Sequence, residues 1–527
     1  MRTPCDEVVI RSAKDTVVQR AGCERWILAA TILASSMAFI DGTVVNVALP
    51  ALQTSFHATV AGAQWVVESY GLFLSALILV GGSLGDSLGR RRIFIVGVVI
   101  FAIASVACGI ATSIRELVIA RSVQGIGAAL LVPGSLSIIS ASFDEKTRGQ
   151  AIGTWSGFTA ITMAIGPVLG GWLIQHASWR WAFFINIPLA AAVIAISLWR
   201  VPESRSNGAK GIDWAGAFTA TLGLGGVVVG LIESVELGWR NPIVELSLGT
   251  GIASLIAFVI IEERSKSPMV PLVLFHSRTF TGANLLTLFL YAALGAFFFL
   301  YPMNLIQVRG YSATEAGAAA LPLILLVFLL SRWSGGLVIR VGPRIPLVAG
   351  PLIVALGFAL FALPSMHGNY WTNYFPAFMV LGFGLSVTVA PLTTVVMNSV
   401  DQDRSGSASG INNAVARVAG VLAIAVLGII MVHAFGSRLE YSVGKLGLPD
   451  PAVREIQSKE SRLAALESPA ELNEPQKKAV REAVQESFVF GFRVVTLICS
   501  ALAVISAAMA SVMIRLPRPS EAGTGHP

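Results

Sequence analysis

A helix needs about 20 mainly apolar residues to cross the hydrocarbon core of a bilayer, and this 527-residue sequence offers about 14 such runs. They begin near residues 26, 62, 93, 117, 149, 180, 213, 243, 280, 314, 345, 373, 406 and 487. In lipid every backbone N–H and C=O must be paired inside the segment or around a closed barrel. The expected fold is therefore an all-α membrane protein of about fourteen transmembrane helices. Gly and Pro are frequent inside the runs, as helices packed in a membrane tolerate. Charged residues make up only 13% of the chain, against about 25% in a soluble domain.

An even count puts both ends of the chain on one side. If that side is the cytoplasm, it holds about 21 Lys and Arg, including Arg90 to Arg92, Arg200, Arg264, Arg344 and Arg515, against about 4 in the short outer loops (Arg115, Arg180, Arg240, Arg309). The positive-inside rule then places both termini in the cytoplasm. The net charge of +7 follows from this asymmetry and not from a nucleic-acid partner. Residues 1–25 mix both charge signs and lack an apolar core, so no cleaved signal is expected. The Lys-, Arg- and Glu-rich stretch 436–486 reads as an extracytoplasmic, partly helical, solvated loop. Cys5, Cys23, Cys108 and Cys499 form no disulfide or metal pattern.

A repeat runs through the chain. GSLGDSLGRRR from Gly82 and GGLVIRVGPRI from Gly335 match at Gly82/Gly335, Leu84/Leu337, Gly89/Gly342 and Arg91/Arg344. A similar separation, roughly 255 residues, pairs GIG at 125 with GFG at 382 and Gly153 with Gly410. The expected organisation is a tail (1–25), a six-helix half (26–200), an inserted helix pair (201–265), a second six-helix half (266–514) containing loop 436–486, and a tail (515–527). Parallel repeats of this kind place a substrate site between halves that rock against each other.

Three segments carry most of the functional signal. In the loop after the second run, Gly82, Asp86, Gly89, Arg90 and Arg91 combine glycines that let helix ends approach with an acid able to cap the third helix or pair with a base. In the fourth run, Arg121-Ser-Val-Gln124-Gly125-Ile-Gly127 puts an arginine in hydrocarbon, where it requires a partner or a cavity. In the fifth, Gly166-Pro167-Val-Leu-Gly170-Gly171 joins a helix kink to a flat packing face. These segments resemble the motifs GxLaDrxGrkxx, RxxQGxGaa and gxxxGPxxGG of the major facilitator superfamily, and specifically its drug/proton antiporter branch with fourteen spans. Ser87 and Thr162 depart from the usual basic residue and first glycine. FIDGTVVNVALP, WVVESY, WRWAFFINIP, Asp213-Trp214 and SGINNAVARVAG also fit the branch. The resemblance implies that the first motif is a conformational latch, that Arg121 takes part in proton coupling, and that the Gly/Pro motif seals the two halves and marks export.

Asp41, alone in the apolar run 27–50, is the expected proton carrier, because a carboxylate that alternates between low dielectric and water binds and releases a proton. The simpler reading is a packing carboxylate bonded to Thr43 or Asn46. Glu68 is either a second proton site, a partner for cationic substrates, or an acid at the outer interface. Arg417 requires a partner as well. Asn46, Gln124, Trp155, Phe158, Tyr291, Met303, Asn412, Asn413 and Arg417 are candidate substrate contacts, although membrane aromatics more often pack or face lipid.

A nucleotide-driven pump would carry GxxxxGK[ST]; the nearest stretch, VGKLG at 443–447, lacks the hydroxyl residue. The six His are dispersed, so no metal or other cofactor and no enzymatic chemistry is expected. The reading is a proton-coupled antiporter exporting small amphipathic or cationic drugs or toxic compounds across the cytoplasmic membrane. Its partners are a drug-like substrate, protons and the bilayer, with a periplasmic adaptor and outer-membrane channel added in a Gram-negative host. The alternatives are an exporter of a self-made metabolite and a proton-coupled uptake symporter.

Overall fold

The computed structural model describes residues 24–143, 145–205, 213–265, 267–363, 369–400 and 405–514. Most of both expected tails lies outside the described residues. The spans are α1 (Glu24–Phe56), α2 (Val60–Leu88), α3 (Arg90–Ile110), α4 (Ile114–Ser142), α5 (Glu145–His176), α6 (Trp181–Arg200, interrupted at the single residue Ile185) and α7 (Trp214–Leu237). They continue as α8 (Pro242–Arg264), α9 (Arg278–Val308), α10 (Ala313–Ala319 continued by Leu321–Gly335), α11 (Arg344–Phe361), α12 (Phe375–Asn398), α13 (Ser405–Val443) and α14 (Glu474–Met513). Among the described residues, 13 of these are long and apolar enough to cross a membrane. The 32-residue α5, some of whose side chains lie outside the described set, completes the fourteen. No strand occurs among the described residues.

Polar residues at the loop ends start many of these helices. Thr59 accepts from Gly62 N, Asp213 from Gly216 N, and Ser277 from Phe280 N, each satisfying a first-turn N–H that has no intrahelical acceptor. Ser312 with Glu315 and Asn473 with Gln476 form capping boxes. Away from the helix contacts the spans present bare hydrocarbon: Leu246 on α8 is 69% exposed and Val512 on α14 is 78% exposed. Such surfaces are stable against lipid tails and not against water.

The repeat is visible in how glycines seat the central helix of each half. A Cβ at Gly125 of α4 would lie 2.6 Å from Tyr70 O on α2, and one at Gly127 would lie 2.6 Å from Phe101 N on α3. In the other half, a Cβ at Gly382 of α12 would lie 2.7 Å from Leu323 Cα on α10, and one at Gly384 would lie 2.7 Å from Val354 N on α11. The paired loop glycines, Gly89 and Gly342, both have positive φ (115° and 79°), which a side chain would strain. The inserted pair α7–α8 packs on itself. From α7, Leu224, Val228 and Ile232 join Leu72 of α2 and Val421 and Ala425 of α13 in one apolar cluster. The insert thus covers a junction between the two halves.

The stretch 436–486 is partly helical, as expected. α13 continues to Val443, α14 begins at Glu474, and a helix (Asp450–Ser458) and a 3₁₀ turn (Glu460–Ala465) lie between them. The start expected near 487 is displaced because α14 projects about three turns beyond its apolar run as a charged, amphipathic extension. In the turn, Leu463 is buried with φ 51°.

Candidate functional site

Asp41 lies in the interior of the N-terminal half and is fully withdrawn from solvent, as are Arg121, Gln124, Ser105 and Asn186 to within 1% exposure. Arg121 Nη1 forms an ion pair with Asp41 Oδ2. Gln124 Nε2 donates to Asp41 Oδ1 at 2.8 Å and also lies 2.8 Å from Ser105 Oγ, while Gln124 Oε1 accepts from Arg121 Nη1 at 2.7 Å. Asn186 Nδ2 reaches Asp41 Oδ1 at 3.3 Å and Ser105 Oγ at 3.2 Å. Arg121 Nε donates to Val66 O at 3.0 Å, and its guanidinium stands 4.2 Å from the centre of the Tyr70 ring. Spans α1, α2, α3, α4 and α6 thus converge on one charged pair. Burial of two charges is tolerable only with this degree of hydrogen bonding.

Asp41, alone in its own apolar run, is thus paired with an arginine from another span. Neither alternative partner holds it: Thr43 Oγ1 donates back to Phe39 O and Ile40 O, and Asn46 Nδ2 to Gly42 O. Arg121 is the partner because position 121 on α4 faces position 41 on α1 across the half, a register that neither segment reveals alone. Ser105 and Asn186 were not singled out by the sequence reading. Asn186 stood inside the quoted run WRWAFFINIP as an amide in an apolar segment, and that was the available signal.

Glu68 is also fully buried, and neither carboxylate oxygen has a hydrogen-bond partner. A water-facing position at the outer interface is therefore excluded in this structure. Gln124 belongs to the Asp41 network and Met303 is fully buried, so neither presents a surface to a substrate here. Trp155 packs within the N-terminal half and donates from Nε1 to Ser35 Oγ at 3.0 Å. Asn412 is tied to Thr287 Oγ1 at 2.7 Å within the C-terminal half. Phe158 and Asn413 are exposed, and Asn46, Tyr291 and Arg417 partly so. The structure does not gather these residues into one described pocket.

At the loop after α2, Arg90 Nη2 lies 2.7 Å from Asp86 Oδ1, an i,i+4 pair around the turn at Gly89. The third helix is capped by a different acid. The Glu203 carboxylate, from the chain leaving α6, accepts from Arg91 N at 3.1 Å and Arg92 N at 3.2 Å, while Arg91 Nη1 donates to Val201 O. Glu203 was missed because a lone acid in a polar linker carries no sequence signal of its own. Gly82 makes only an ordinary approach to Pro133.

The Gly/Pro motif of α5 packs in two directions. Gly166 lies against Ile40 and Thr43, and Gly170 against Val44, all on α1. Gly171 and Pro167 face α10 of the other half: a Cβ at Gly171 would stand 2.7 Å from Thr314 Cα, and one at Gly317 would stand 2.5 Å from the Pro167 carbonyl carbon. Thr314 Oγ1 donates to Gln175 Oε1 at 2.7 Å, and Gln307 Nε2 to Gln53 Oε1 at 2.9 Å. These contacts join the halves at the face opposite Glu24 and Met513. The segment 460–467 lies over the same junction, leaving a cleft of about 240 Å³ lined by Gln53, His57, Gln307, Arg462 and Glu467 among others.

Comparison with known proteins agrees with this architecture. The family model for the Major Facilitator Superfamily matches residues 31–424. The chain is 34% identical over 435 residues to the multidrug resistance protein Stp of Mycobacterium tuberculosis (strain CDC 1551 / Oshkosh), covering 81% of this chain and 80% of that one. It is 31% identical over 506 residues to the tetracenomycin C resistance and export protein of Streptomyces glaucescens, covering 94% and 92%. Among solved structures, a bacterial homologue of the human lysosomal transporter Spinster, inward-facing and unoccupied, superposes with a TM-score of 0.64 at 19% identity over 94% of this chain and all of that one. Fourteen span-length helices in two glycine-seated halves, and a family match across most of the sequence, make this chain a multi-pass membrane protein that belongs to the Major Facilitator Superfamily.

Proposed function

We propose that the chain is a proton-coupled antiporter that exports small amphipathic or cationic drugs or toxic compounds by alternating access, in the cytoplasmic membrane with both termini inside. The similarity to proteins named for multidrug and tetracenomycin C resistance supports efflux of drug-like compounds. The observation that carries the coupling is the Asp41–Arg121 pair, sealed at 0% and 1% exposure. A proton placed on an Asp41 oxygen neutralises the carboxylate and leaves the Arg121 guanidinium buried without its counter-charge. Breaking a buried pair in this way costs about 3–5 kcal/mol, comparable with the roughly 5.5 kcal/mol that carries a two-state equilibrium from 1:99 to 99:1. Proton uptake therefore drives the N-terminal half toward an arrangement in which Arg121 finds water or another acceptor, and proton release restores the pair. Gln124 and Asn186 hold the carboxylate in place, and Gln124 also binds Arg121, so it transmits the change between α1 and α4.

The test is flux in everted vesicles carrying equal amounts of protein. An imposed proton gradient, acid inside the vesicle, is expected to drive drug into the vesicle in exchange for protons. Movement of drug and protons in the same direction identifies an uptake symporter instead. Drug movement that ignores the gradient refutes the coupling.

A further inference from the structure

Glu68 of α2 is buried at a junction between the halves. Gln64, one turn before it, donates to Ile424 O of α13 at 2.9 Å, and a Cβ at Gly71, three residues after it, would stand 3.0 Å from Val421. The face of α2 that carries Glu68 therefore lies on α13, with α7 covering the same junction. Of the buried acids among the described residues, Asp41 is paired and Glu262 accepts from Val270 N; only Glu68 has both oxygens without a partner. An ionised carboxylate in that position is costly unless a cation reaches it.

The cations and acids around it are accounted for except one. On α4, Arg121 is committed to Asp41 and Val66 O. On α7, Glu233 accepts from Trp65 Nε1 at 2.8 Å. On α2 itself, the Tyr70 hydroxyl donates to Ala38 O. On α13, Arg417 is partly exposed, lies near enough to Tyr70 of α2 to interact with it electrostatically, and has no counter-charge among the described residues. The two helices run antiparallel, because Gln64 meets Ile424 while Leu79 meets Gly410. Gly71 abuts Val421, so Glu68 lies three residues to one side of that level and Arg417 four to the other, about 10 Å apart along the axes at 1.5 Å per residue. Two long side chains span that distance once α13 rotates or slides modestly against α2.

We propose that Glu68 and Arg417 form an ion pair across the halves in the alternate conformation of the transport cycle, and so act as positioning residues that set the balance between the two states. The inference rests on the alternating-access reading above. In the structure described here the pair is apart and Glu68 is uncompensated. Formation of the pair removes that penalty, and so favours the other state.

The experiment uses the full chain in proteoliposomes, with spin labels on α5 and α10 reporting the distance across the junction, alongside drug export. Variants are Glu68→Gln, Arg417→Gln, both together, and the exchanged Glu68→Arg/Arg417→Glu. Each single is expected to shift the ratio of the two states by about 5-fold or more, the usual scale of coupling between sites, and to lower export. The double, which has neither the uncompensated charge nor the pair, is expected to lie no further from wild type than either single, and the exchange to recover part of the way toward wild type. If the singles fold poorly, recovery of folding in the double is the same result. Additive effects in the double, an unshifted distribution in Glu68→Gln, or loss of cationic-drug export alone that Arg417→Gln does not repair each refute the pair. The distance distribution is read without substrate flux, so it stands apart from any failure of the export assignment.

Discussion

Gly171→Ala adds one methyl where α5 meets α10, and the structure fixes what that methyl strikes. It would stand 2.6 Å from the Ala313 carbonyl carbon and 2.7 Å from Thr314 Cα, with Ala313 O closer still, against 3.4–4 Å for ordinary contact. All three are backbone atoms at the start of α10, whose first turn is pinned by the Ser312–Glu315 capping box, so no side chain can rotate away. The helices must separate by about 1 Å or the junction must open. Overpacking of a close contact costs about 1–3 kcal/mol, which is roughly 5- to 150-fold in a conformational equilibrium. Gly170→Ala is the control on the neighbouring residue: its methyl meets the Val44 side chain on α1 of the same half, so it perturbs the N-terminal half without wedging the two halves apart. Spin-label distances between α5 and α10 in nanodiscs measure the outcome. Gly171→Ala is expected to depopulate the short distance by at least about 5-fold and Gly170→Ala to leave it nearly unchanged. Equal distance distributions in wild type and Gly171→Ala would refute the claim that this glycine closes the junction.

Asp41→Asn leaves Arg121 buried without its counter-charge, so it is expected to lose about 3–5 kcal/mol of stability together with proton-driven export; Asp41→Asn/Arg121→Met, measured by thermal unfolding in detergent, should be the more stable of the two. A single variant as stable as wild type would show that the pair is worth nothing in the fold. Glu203→Gln weakens the cap on α3 and is expected to slow export while drug binding stays within a few-fold, since Glu203 touches only the loop and the first turn of α3; loss of binding at unchanged turnover would contradict the assignment. In the 436–486 segment, burial raises the Glu460 carboxyl above the ordinary carboxylate range, with His433 lowering it and Glu440 raising it. A group with a raised folded-state value contributes stability that is complete below its unfolded value and lost as pH rises through the folded one. Protease nicking of residues 450–473 should therefore increase as pH rises through that range in wild type and stay flat in Glu460→Gln; a flat wild-type profile would show that Glu460 does not anchor the segment.

Local chemistry wrote much of this protein into its sequence. The apolar run length fixes the number of spans, because a helix in hydrocarbon must be about 20 residues long whatever surrounds it. The repeat at roughly 255 residues fixes the two halves, because Gly125, Gly127, Gly382 and Gly384 sit where backbones touch and where a side chain would block the approach. Thr59, Asp213, Ser312 and Asn473 mark helix starts for reasons that act within four residues. Pairings between distant segments were decided by the tertiary structure alone. Which cation meets Asp41, which acid caps α3, and which of the glycines in the α5 motif turns to α10 depend on the rotation and depth at which helices pack, and those are set by the sum of many side-chain contacts. For the same reason Trp155, Met303 and Gln124, polar or bulky enough to suggest a substrate surface, proved to be interior. Glu68, with a position in the sequence open to water or to protein, was placed inside by the meeting of α2 with α13 and α7.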